Sequence, residues 1–393
     1  MDTKETILCP LMQDRKSQVP NVPLCESTEL DELFNFLRKK ELPVSNTRFE
    51  RGHVSLDGRL DLCKQGIGIS GTERLMNSLQ DNPAIKHILL GTDSLGDEGV
   101  KLLASHIKET SYLETIYLGC NVITEQGAQA LAKALKDNSQ IKSLWLKRNP
   151  IGDAGIISIS EMLQRNQTLR TLDLVNTQIS SYGLSLLADT LEQNETSLQA
   201  IFLGGNHLDS TCIYSLIRIL QSSKLDALFL NVNLLGDDFL NALVDNAPYN
   251  NKILTLGLAS NGLSSKYLEK LLCSSEKLQF KSLDLGYSRS TKVLGAKGKF
   301  FGDTMGELWN EWLSQQNCLE ELLLNKTGIG HRSVCAMLNQ IQKHPTLHTL
   351  KLSRLKDSEI RSNLHQVLSK RKPSISHYND YRDDLRKIKS VYR

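Results

Sequence analysis

The sequence repeats itself with a period of about 28 residues. The repeated pattern is an apolar residue, two others, a second apolar residue, one other and a third. It starts at Ile85, Leu113, Ile141, Leu169, Leu198, Leu225, Ile253, Phe280, Leu319 and Leu347. Successive starts are 28, 28, 28, 29, 27, 28, 27, 39 and 28 residues apart, and residues 57–84 precede Ile85 with the same spacing. So regular a period indicates one structural unit whose stacked copies bury a continuous core.

Each repeat is predicted to hold a short strand followed by a helix. Positions four and six are apolar throughout, from Leu60 and Leu62 to Leu350 and Leu352, as is typical of a strand with one buried face. Apolar residues then recur at helical spacing, which predicts an amphipathic helix of about three turns. We therefore expect a leucine-rich repeat α/β solenoid of about 11 strand–helix units over residues 57–370. Such units should curve into a horseshoe, with a parallel sheet on the concave face and helices on the convex face.

The segments that flank the repeats have a different composition. Residues 1–56 carry four prolines and no repeat, and Ser27–Lys40 has the pattern of one helix with an apolar face. We expect this segment to be an N-terminal cap that covers the first repeat. Residues 371–393 should form a basic C-terminal cap or tail, in which Asp380–Val391 can form a short helix. A basic end of this kind is either solvated or a site for a partner.

The step of 39 residues marks the one interruption of the repeat. Roughly eleven extra residues near 289–301 fall between a strand and its helix, and they include three lysines, one arginine and two phenylalanines. Insertions in repeat proteins lie in loops on one face, which is often the binding face. The insertion is therefore either a contact loop, whose basic residues would suit phosphate groups, or a tolerated variation of length.

Composition narrows the classes of function. A net charge of +3 argues against a dedicated nucleic-acid binder. No apolar run reaches the length of a membrane span, and residues 1–5 lack the character of a secretory signal. None of the eight cysteines forms C-x-x-C, which suits a reducing compartment. We expect a cytoplasmic protein, or one exported into a host cytoplasm, with no membrane span, no nucleic acid and no small-molecule substrate.

The sequence contains two partial matches to motifs of cofactor-binding and metal-binding sites, and the repeat accounts for both. Gly66-x-Gly68-x-x-Gly71 matches a dinucleotide fingerprint, but Gly71 occupies a position that holds glycine in each of the first five repeats. His344 and His348 have a spacing that resembles zinc ligands, but one is expected in a loop and the other at the start of a strand, so they need not converge. We expect no enzyme activity, no cofactor and no metal site.

The candidate site lies on the strands. Position five should point to the concave surface because positions four and six point inward, and neighbouring strands lie about 4.8 Å apart. The predicted partner-binding residues are Leu89, Tyr117, Trp145, Lys147, Arg148, Asp173, Phe202 and Phe229. Leu89, Tyr117 and Trp145 should form one ladder, and Phe202 with Phe229 another. Exposed aromatic rows with arginine are typical of binding hot spots. The alternative is that the rings pack against each other or against a terminal segment.

Two segments carry a resemblance to a known family. Residues 123–135 (ITEQGAQALAKAL) and 151–155 (IGDAG) resemble the ribonuclease-inhibitor-like subfamily of leucine-rich repeats, and the likeness extends over about residues 57–370. Members include the Ran GTPase-activating protein and stand-alone proteins that intracellular bacteria export into host cells. The resemblance implies a protein–protein interaction scaffold that binds a folded partner in its concave face, as an exported bacterial effector acting in a host cell. The alternative that it implies is a small-GTPase regulator similar to the Ran GTPase-activating protein.

Overall fold

The computed structural model describes residues 22–109, 112–193, 195–221, 225–246, 253–274, 278–287, 301–353, 355, 357–371 and 380–391. The chain divides into two compact units. Unit 1 comprises residues 1–201 together with 378–393, and unit 2 comprises residues 202–377. Most of the insertion predicted near 289–301 lies outside the described residues.

The strands follow the period of the sequence. Unit 1 contains β1 (Thr47–Arg48), β2 (His53–Val54), β3 (Arg59–Asp61), β4 (His87–Leu89), β5 (Thr115–Tyr117), β6 (Ser143–Trp145) and β7 (Thr171–Asp173). The boundary between the units falls within β8 (Ala200–Phe202), and unit 2 contains β9 (Ala227–Phe229), β10 (Ile253–Gly257), β11 (Gln279–Asp284), β12 (Glu321–Leu323) and β13 (Thr349–Lys351). In unit 1, β2 pairs antiparallel with β1 and β3, and β3 to β7 pair parallel in chain order. In unit 2, β9 to β13 also pair parallel in chain order.

A helix follows each parallel strand. Unit 1 contains α1 (Asp31–Leu37), α2 (Gly68–Leu79), α3 (Gly96–Glu109), α4 (Glu125–Leu135), α5 (Gly152–Leu163), α6 (Ser181–Gln193) and α13 (Tyr381–Lys387). Unit 2 contains α7 (Ile213–Gln221), α8 (Gly236–Asp245), α9 (Ser265–Leu272), α10 (Gly306–Gln315), α11 (His331–Lys343) and α12 (Ser358–Ser369). Short 3-10 turns occupy Ser27–Leu30 and Ser210–Cys212. Eleven strands of the described chain, β3 to β13, lie at the predicted repeat positions, which confirms the α/β solenoid.

The core of each unit lies between its sheet and its helices. Positions four and six of the repeats supply the sheet side, as Leu144 and Leu146 do on β6, and both are almost fully buried. The helix side comes from residues such as Leu131 and Leu135 on α4, four positions apart on one face. Burial of these apolar rows is the main stabilising contribution to the fold.

Buried asparagines at repeat position nine join neighbouring turns. The amide nitrogen of Asn121 donates to the carbonyl oxygens of Leu90 and Leu118, and its oxygen accepts from the backbone N–H of Asp93. Asn149 repeats the arrangement one turn later. These side chains satisfy backbone groups that would otherwise be buried without partners. Their role is structural, as the sequence predicts.

A carboxylate from one repeat binds the start of the next helix. Asp97 accepts from the backbone N–H groups of Thr124 and Gly127, where α4 begins. A Cβ atom added to Gly127 would lie 2.5 Å from an oxygen of Asp97, so the recurring glycine makes room for this contact. Asp303 binds the start of α11 in the same way, through Gly330 and Ser333. Helix N-termini favour a negative charge, so this contact stabilises the stacking of repeats.

The N-terminal segment packs on the first helix of the repeats. The predicted helix over Ser27–Lys40 is a 3-10 turn followed by α1, and its apolar face is buried. The guanidinium of Arg74 on α2 binds Asp31 at 2.5 Å and the carbonyl of Ser27 at 2.6 Å. The amide of Asn82 donates to the carbonyl oxygen of Leu37, at the end of α1.

Candidate partner-binding site

The structure brings the predicted residues of unit 1 into one row. In the paired strands Leu89 lies opposite Tyr117, Tyr117 opposite Trp145, and Trp145 opposite Asp173. Lys147 lies two residues after the end of β6. We call the surface formed by positions three and five of β3 to β7 the sheet face of unit 1. It points away from α2 to α6, because positions four and six point toward them.

The two predicted residues of unit 2 also meet. The rings of Phe202 and Phe229 stack with their centroids 4.2 Å apart and their planes inclined by 7°. This spacing is close to the distance between neighbouring strands. Gly257 on β10 leaves room for the ring of Phe229, which would lie 3.1 Å from a Cβ atom at that position. Unit 2 therefore contains the second predicted ladder.

The expectation that these rings are exposed is wrong. Trp145 is 0% exposed and Tyr117 5% exposed. The other buried members of the predicted set are Leu89, Lys147, Asp173 and Phe202. Arg148 and Phe229 keep intermediate exposure. The row is therefore not open to solvent, although residues at position three beside it, such as Thr115 and Ser143, are small.

The end of the chain itself lies on the sheet face of unit 1. Residues 380–391, which we call the C-terminal segment, contain α13. The guanidinium of Arg170, beside β7, binds both carboxylate oxygens of Asp384 at 2.9 Å. The hydroxyl of Thr171 donates to the same carboxylate at 2.7 Å. The backbone N–H of Tyr381 donates to the side-chain oxygen of Gln199 at 3.1 Å.

The other end of the C-terminal segment reaches the first parallel strand. The ammonium of Lys387 binds the carboxylate of Asp57 at 3.0 Å, and Arg59 on β3 donates to the carbonyl oxygen of Lys387 at 3.2 Å. The hydroxyl of Ser390 donates to the carboxylate of Asp61 at 3.2 Å. Asp61 occupies position five of its repeat, the position that also carries the predicted row. The segment therefore contacts the same side of the sheet as that row.

The C-terminal segment therefore crosses the strands that carry the predicted residues. Its contacts fall at β7 and at β3, and the strand order places β4, β5 and β6 between them. Near the β3 end, Tyr117 lines a cavity of about 440 Å³ together with Ser390 and Val391. Of the predicted row, Tyr117 therefore lies beside the C-terminal segment.

Three residues of the C-terminal segment are buried, and they share one face. Tyr381, Asp384 and Ile388 are almost inaccessible to solvent, whereas Arg386 and Lys389 are exposed. The spacing of three and then four residues places the buried set on one side of a helix. This spacing is readable in the sequence, and it is the signal by which the docked segment could have been found.

Charges at the edge of the sheet face alternate. The carboxylate of Glu114 lies between the ammonium groups of Lys142, at 2.7 Å, and Lys86, at 3.8 Å. These contacts lower the pKa of Glu114 against the opposing effect of burial. His87 lies behind this row, and burial together with the charge of Lys387 lowers its pKa to about 4. Its Nδ1 lies 3.0 Å from the hydroxyl of Thr115, so the neutral ring takes part in a buried polar network.

Burial also shifts the pKa values of two charged residues in the predicted set, Asp173 and Lys147. Burial raises the pKa of Asp173 to about 7, although the charge of Lys147 acts in the opposite direction. Burial lowers the pKa of Lys147 in turn. At neutral pH the carboxyl of Asp173 is therefore partly protonated, which reduces the charge at the centre of the row.

Neither a metal cluster nor a membrane span is present in the part of the chain that the structure describes. No group of three or more His, Cys, Asp or Glu side chains is placed there to hold a metal ion. Among the helices of the same residues, none combines the length and the apolar character that crossing a membrane requires.

Comparison with known proteins identifies the repeats. Residues 111–132, 137–160 and 165–188 match the family model described as Leucine Rich repeat. No curated protein matches the chain. Among solved structures, a similar chain is described as Leiomodin-1 Actin-Binding Site 2 (ABS2). It has 17% sequence identity and a TM-score of 0.32, and the match covers 42% of this chain and 90% of that chain.

Proposed function

Because this chain contains leucine-rich repeats folded as an α/β solenoid, we propose that it is a non-catalytic scaffold that binds a protein partner. The proposed site is the face of the sheet opposite the helices, which the sequence predicts to be concave. Repeat solenoids present extended surfaces of this kind, and their function depends on the residues that the surface displays.

One observation carries the proposal: the sheet face of unit 1 already holds a helix. The C-terminal segment is bound there by the ion pair of Arg170 with Asp384, by the hydroxyl of Thr171 and by buried apolar residues. Bidentate pairing of arginine with a carboxylate combines strength with a defined geometry. A surface that binds one polypeptide segment in this way has the chemistry to bind another.

The predicted residues remain the proposed contact set. Arg148 in unit 1 and Phe229 in unit 2 are the members with intermediate exposure, so they are available to a partner first. Leu89, Tyr117 and Trp145 are buried, so a partner would reach them only if side chains around them moved. The arginine would supply directed hydrogen bonds, and the aromatic ring of Phe229 would supply buried area.

Affinity capture with surface variants tests the proposal. Proteins bound to the wild-type chain from a cell lysate would be identified, and their affinity would be measured for Arg148→Glu and Phe229→Ser. The matched controls are Tyr182→Ser and Tyr214→Ser, which replace exposed residues on helices α6 and α7. A partner of the sheet should lose at least ten-fold in affinity with the first pair and keep its affinity with the controls. Loss with the controls alone would move the site to the helices and contradict the proposal.

The resemblance leads us to propose two finer roles for such a scaffold. An exported effector would bind a host protein in the cytoplasm. A regulator of a small GTPase would change the rate of GTP hydrolysis, which an assay with a panel of small GTPases measures directly. Both roles would use the same sheet surface.

A further inference from the structure

The C-terminal segment has the properties of a ligand rather than of a repeat. It follows α12 in the chain, yet it belongs to unit 1 and not to unit 2, in which α12 lies. It contributes no strand to the sheet, and its polar contacts with the sheet face are made by Asp384, Lys387 and Ser390. An element that adds no strand to the sheet can leave without removing any repeat from the stack.

The contacts define which features of the helix are recognised. Asp384 lies near the middle of the segment and reaches Arg170 and Thr171. Tyr381, three positions before it, and Ile388, four positions after it, are buried on the same side. Recognition of a helix through anchors spaced by three and four residues is a recurrent mode of peptide binding. The sheet face of unit 1 therefore selects an aromatic residue, an acidic residue and an aliphatic residue in this order.

The neighbouring carboxylate shows that the selection is specific. Asp383 pairs with Arg386 on its own helix at 2.9 Å, whereas Asp384 is bound to Thr171 on β7 and to Arg170 beside it. Two adjacent residues of the same type thus have different roles. They supply a matched pair of substitutions.

We propose that the C-terminal segment is an internal ligand that closes the sheet face of unit 1, and that the partner of this face presents a helix with the same pattern. This inference rests on the proposed function. A partner helix with an acidic residue between an aromatic and an aliphatic anchor would replace the segment at Arg170 and Thr171. Since the segment is tethered, its effective concentration is of the order of millimolar, and an untethered competitor must overcome it.

A labelled peptide tests the competition. The peptide has the sequence of residues 380–391 (DYRDDLRKIKSV), and its binding to the full-length chain is followed by fluorescence anisotropy. The Asp384→Ala chain, in which the tethered segment is weakened, should bind the peptide at least ten-fold more tightly than the wild-type chain. The Asp383→Ala chain should behave as wild type. A peptide that carries Asp384→Ala should not bind either chain.

A second variant covers the case in which Asp384→Ala does not fold. The double substitution Lys387→Ala with Ser390→Ala removes the partly exposed contacts to Asp57 and Asp61 and leaves the buried anchors in place. It should also raise the affinity for the peptide above that of wild type. Equal affinity in wild type and in these variants, or equal binding of a scrambled peptide, would overturn the internal ligand.

Measurement of the oligomeric state tests whether the C-terminal segment of a second copy of the chain occupies this face. If the wild-type chain sediments as a dimer that the peptide converts to monomers, the segment docks on a second copy, which overturns a foreign partner for this face. Failure of the peptide, together with a captured protein whose affinity depends on Arg148, would reject the internal ligand and leave the proposed function intact.

Discussion

Arg170 and Asp384 lie 214 residues apart in the sequence and form a bidentate ion pair. Their side chains are 11% and 4% exposed. Burial raises the pKa of Asp384, while Arg170 and the hydroxyl of Thr171 act to lower it. Removal of one partner would leave the other charge in a poorly solvated place, which typically costs about 3–5 kcal/mol. Loss of either partner should therefore weaken the docking of the C-terminal segment on the sheet.

We expect Asp384→Ala to lower the free energy of unfolding by about 3 kcal/mol, and Asp383→Ala by less than about 0.5 kcal/mol. Urea denaturation followed by circular dichroism measures both. A double-mutant cycle with Arg170→Ala should give a coupling energy of at least about 1 kcal/mol. Additive effects of the two substitutions would show that the pair contributes no net interaction.

We expect Trp145→Ala to destabilise unit 1 by about 3–5 kcal/mol, because the indole is 0% exposed and its removal leaves a cavity. The sequence alone predicts a nearly unchanged fold for this variant. Tyr182→Ala, at a side chain that is 60% exposed, is the control and should change stability by less than about 0.5 kcal/mol. Thermal unfolding distinguishes the two expectations. A Trp145→Ala chain as stable as wild type would show that the row can open without cost.

His87 should make the protein less stable as the pH falls. Its pKa is about 4 in the folded chain because of burial and of the charge of Lys387, and near 6.5 when unfolded. The folded state thus binds fewer protons between these values, so stability is lost as the pH falls from about 6.5 to about 4, at roughly 1.4 kcal/mol per unit of pKa difference.

The titration of His87 can be followed by NMR. Lys387→Ala should raise the pKa of His87, since it removes a nearby positive charge. Lys389→Ala, at an exposed position of the same segment, should not change it. A pKa near 6.5 in the wild-type chain would contradict the burial of the ring.

Asp93→Asn should stabilise the protein at neutral pH. Asp93 occupies the repeat position of the buried asparagines, and its Oδ1 accepts from the backbone N–H groups of Gln65 and Gly66 at 2.9 and 2.8 Å. Asn121 uses its amide nitrogen to donate to two carbonyl oxygens, which an ionised carboxylate cannot do. Burial raises the pKa of Asp93 well above its usual value.

The gain from Asp93→Asn should depend on pH. The folded wild-type chain prefers the protonated acid, so it loses stability as the pH rises above about 3.9, the ordinary value. We expect a gain of about 1–3 kcal/mol at pH 8 that shrinks toward pH 4. Chemical denaturation at both pH values measures it. A gain that is independent of pH would contradict the raised pKa.

Asp303→Ala should weaken the docking of α11 in unit 2. Burial tends to raise the pKa of Asp303, but hydrogen bonds from Ser333, Gly330 and Arg332 outweigh it and lower the pKa to about 2. The stabilisation is present above about pH 4 and is lost as the pH falls toward 2. We expect a loss of about 1–2 kcal/mol at pH 7, and a smaller loss for Asp303→Asn, which keeps an acceptor. Hydrogen exchange at the start of α11 measures the effect, and unchanged protection there would contradict it.

The repeat period was sufficient to predict the strands, the helices and the core. Leu144 and Leu146 could be assigned to the buried side of β6 because each repeat places equivalent residues in equivalent contacts. The ladder of Leu89, Tyr117 and Trp145 and the stacking of Phe202 on Phe229 follow from the same register. Local spacing is enough here, because each repeat contacts its neighbours in the chain.

The burial of that ladder and the docking of the C-terminal segment were not specified by the period. The sequence determined which side chains share the sheet face, because the alternation along a strand is local. Only the tertiary structure decided that the C-terminal segment lies on this face, because the ion pair of Arg170 with Asp384 joins residues whose separation no repeat specifies. The docking of a distant segment depends on the sum of packing and charge in the folded chain, which a local period does not contain.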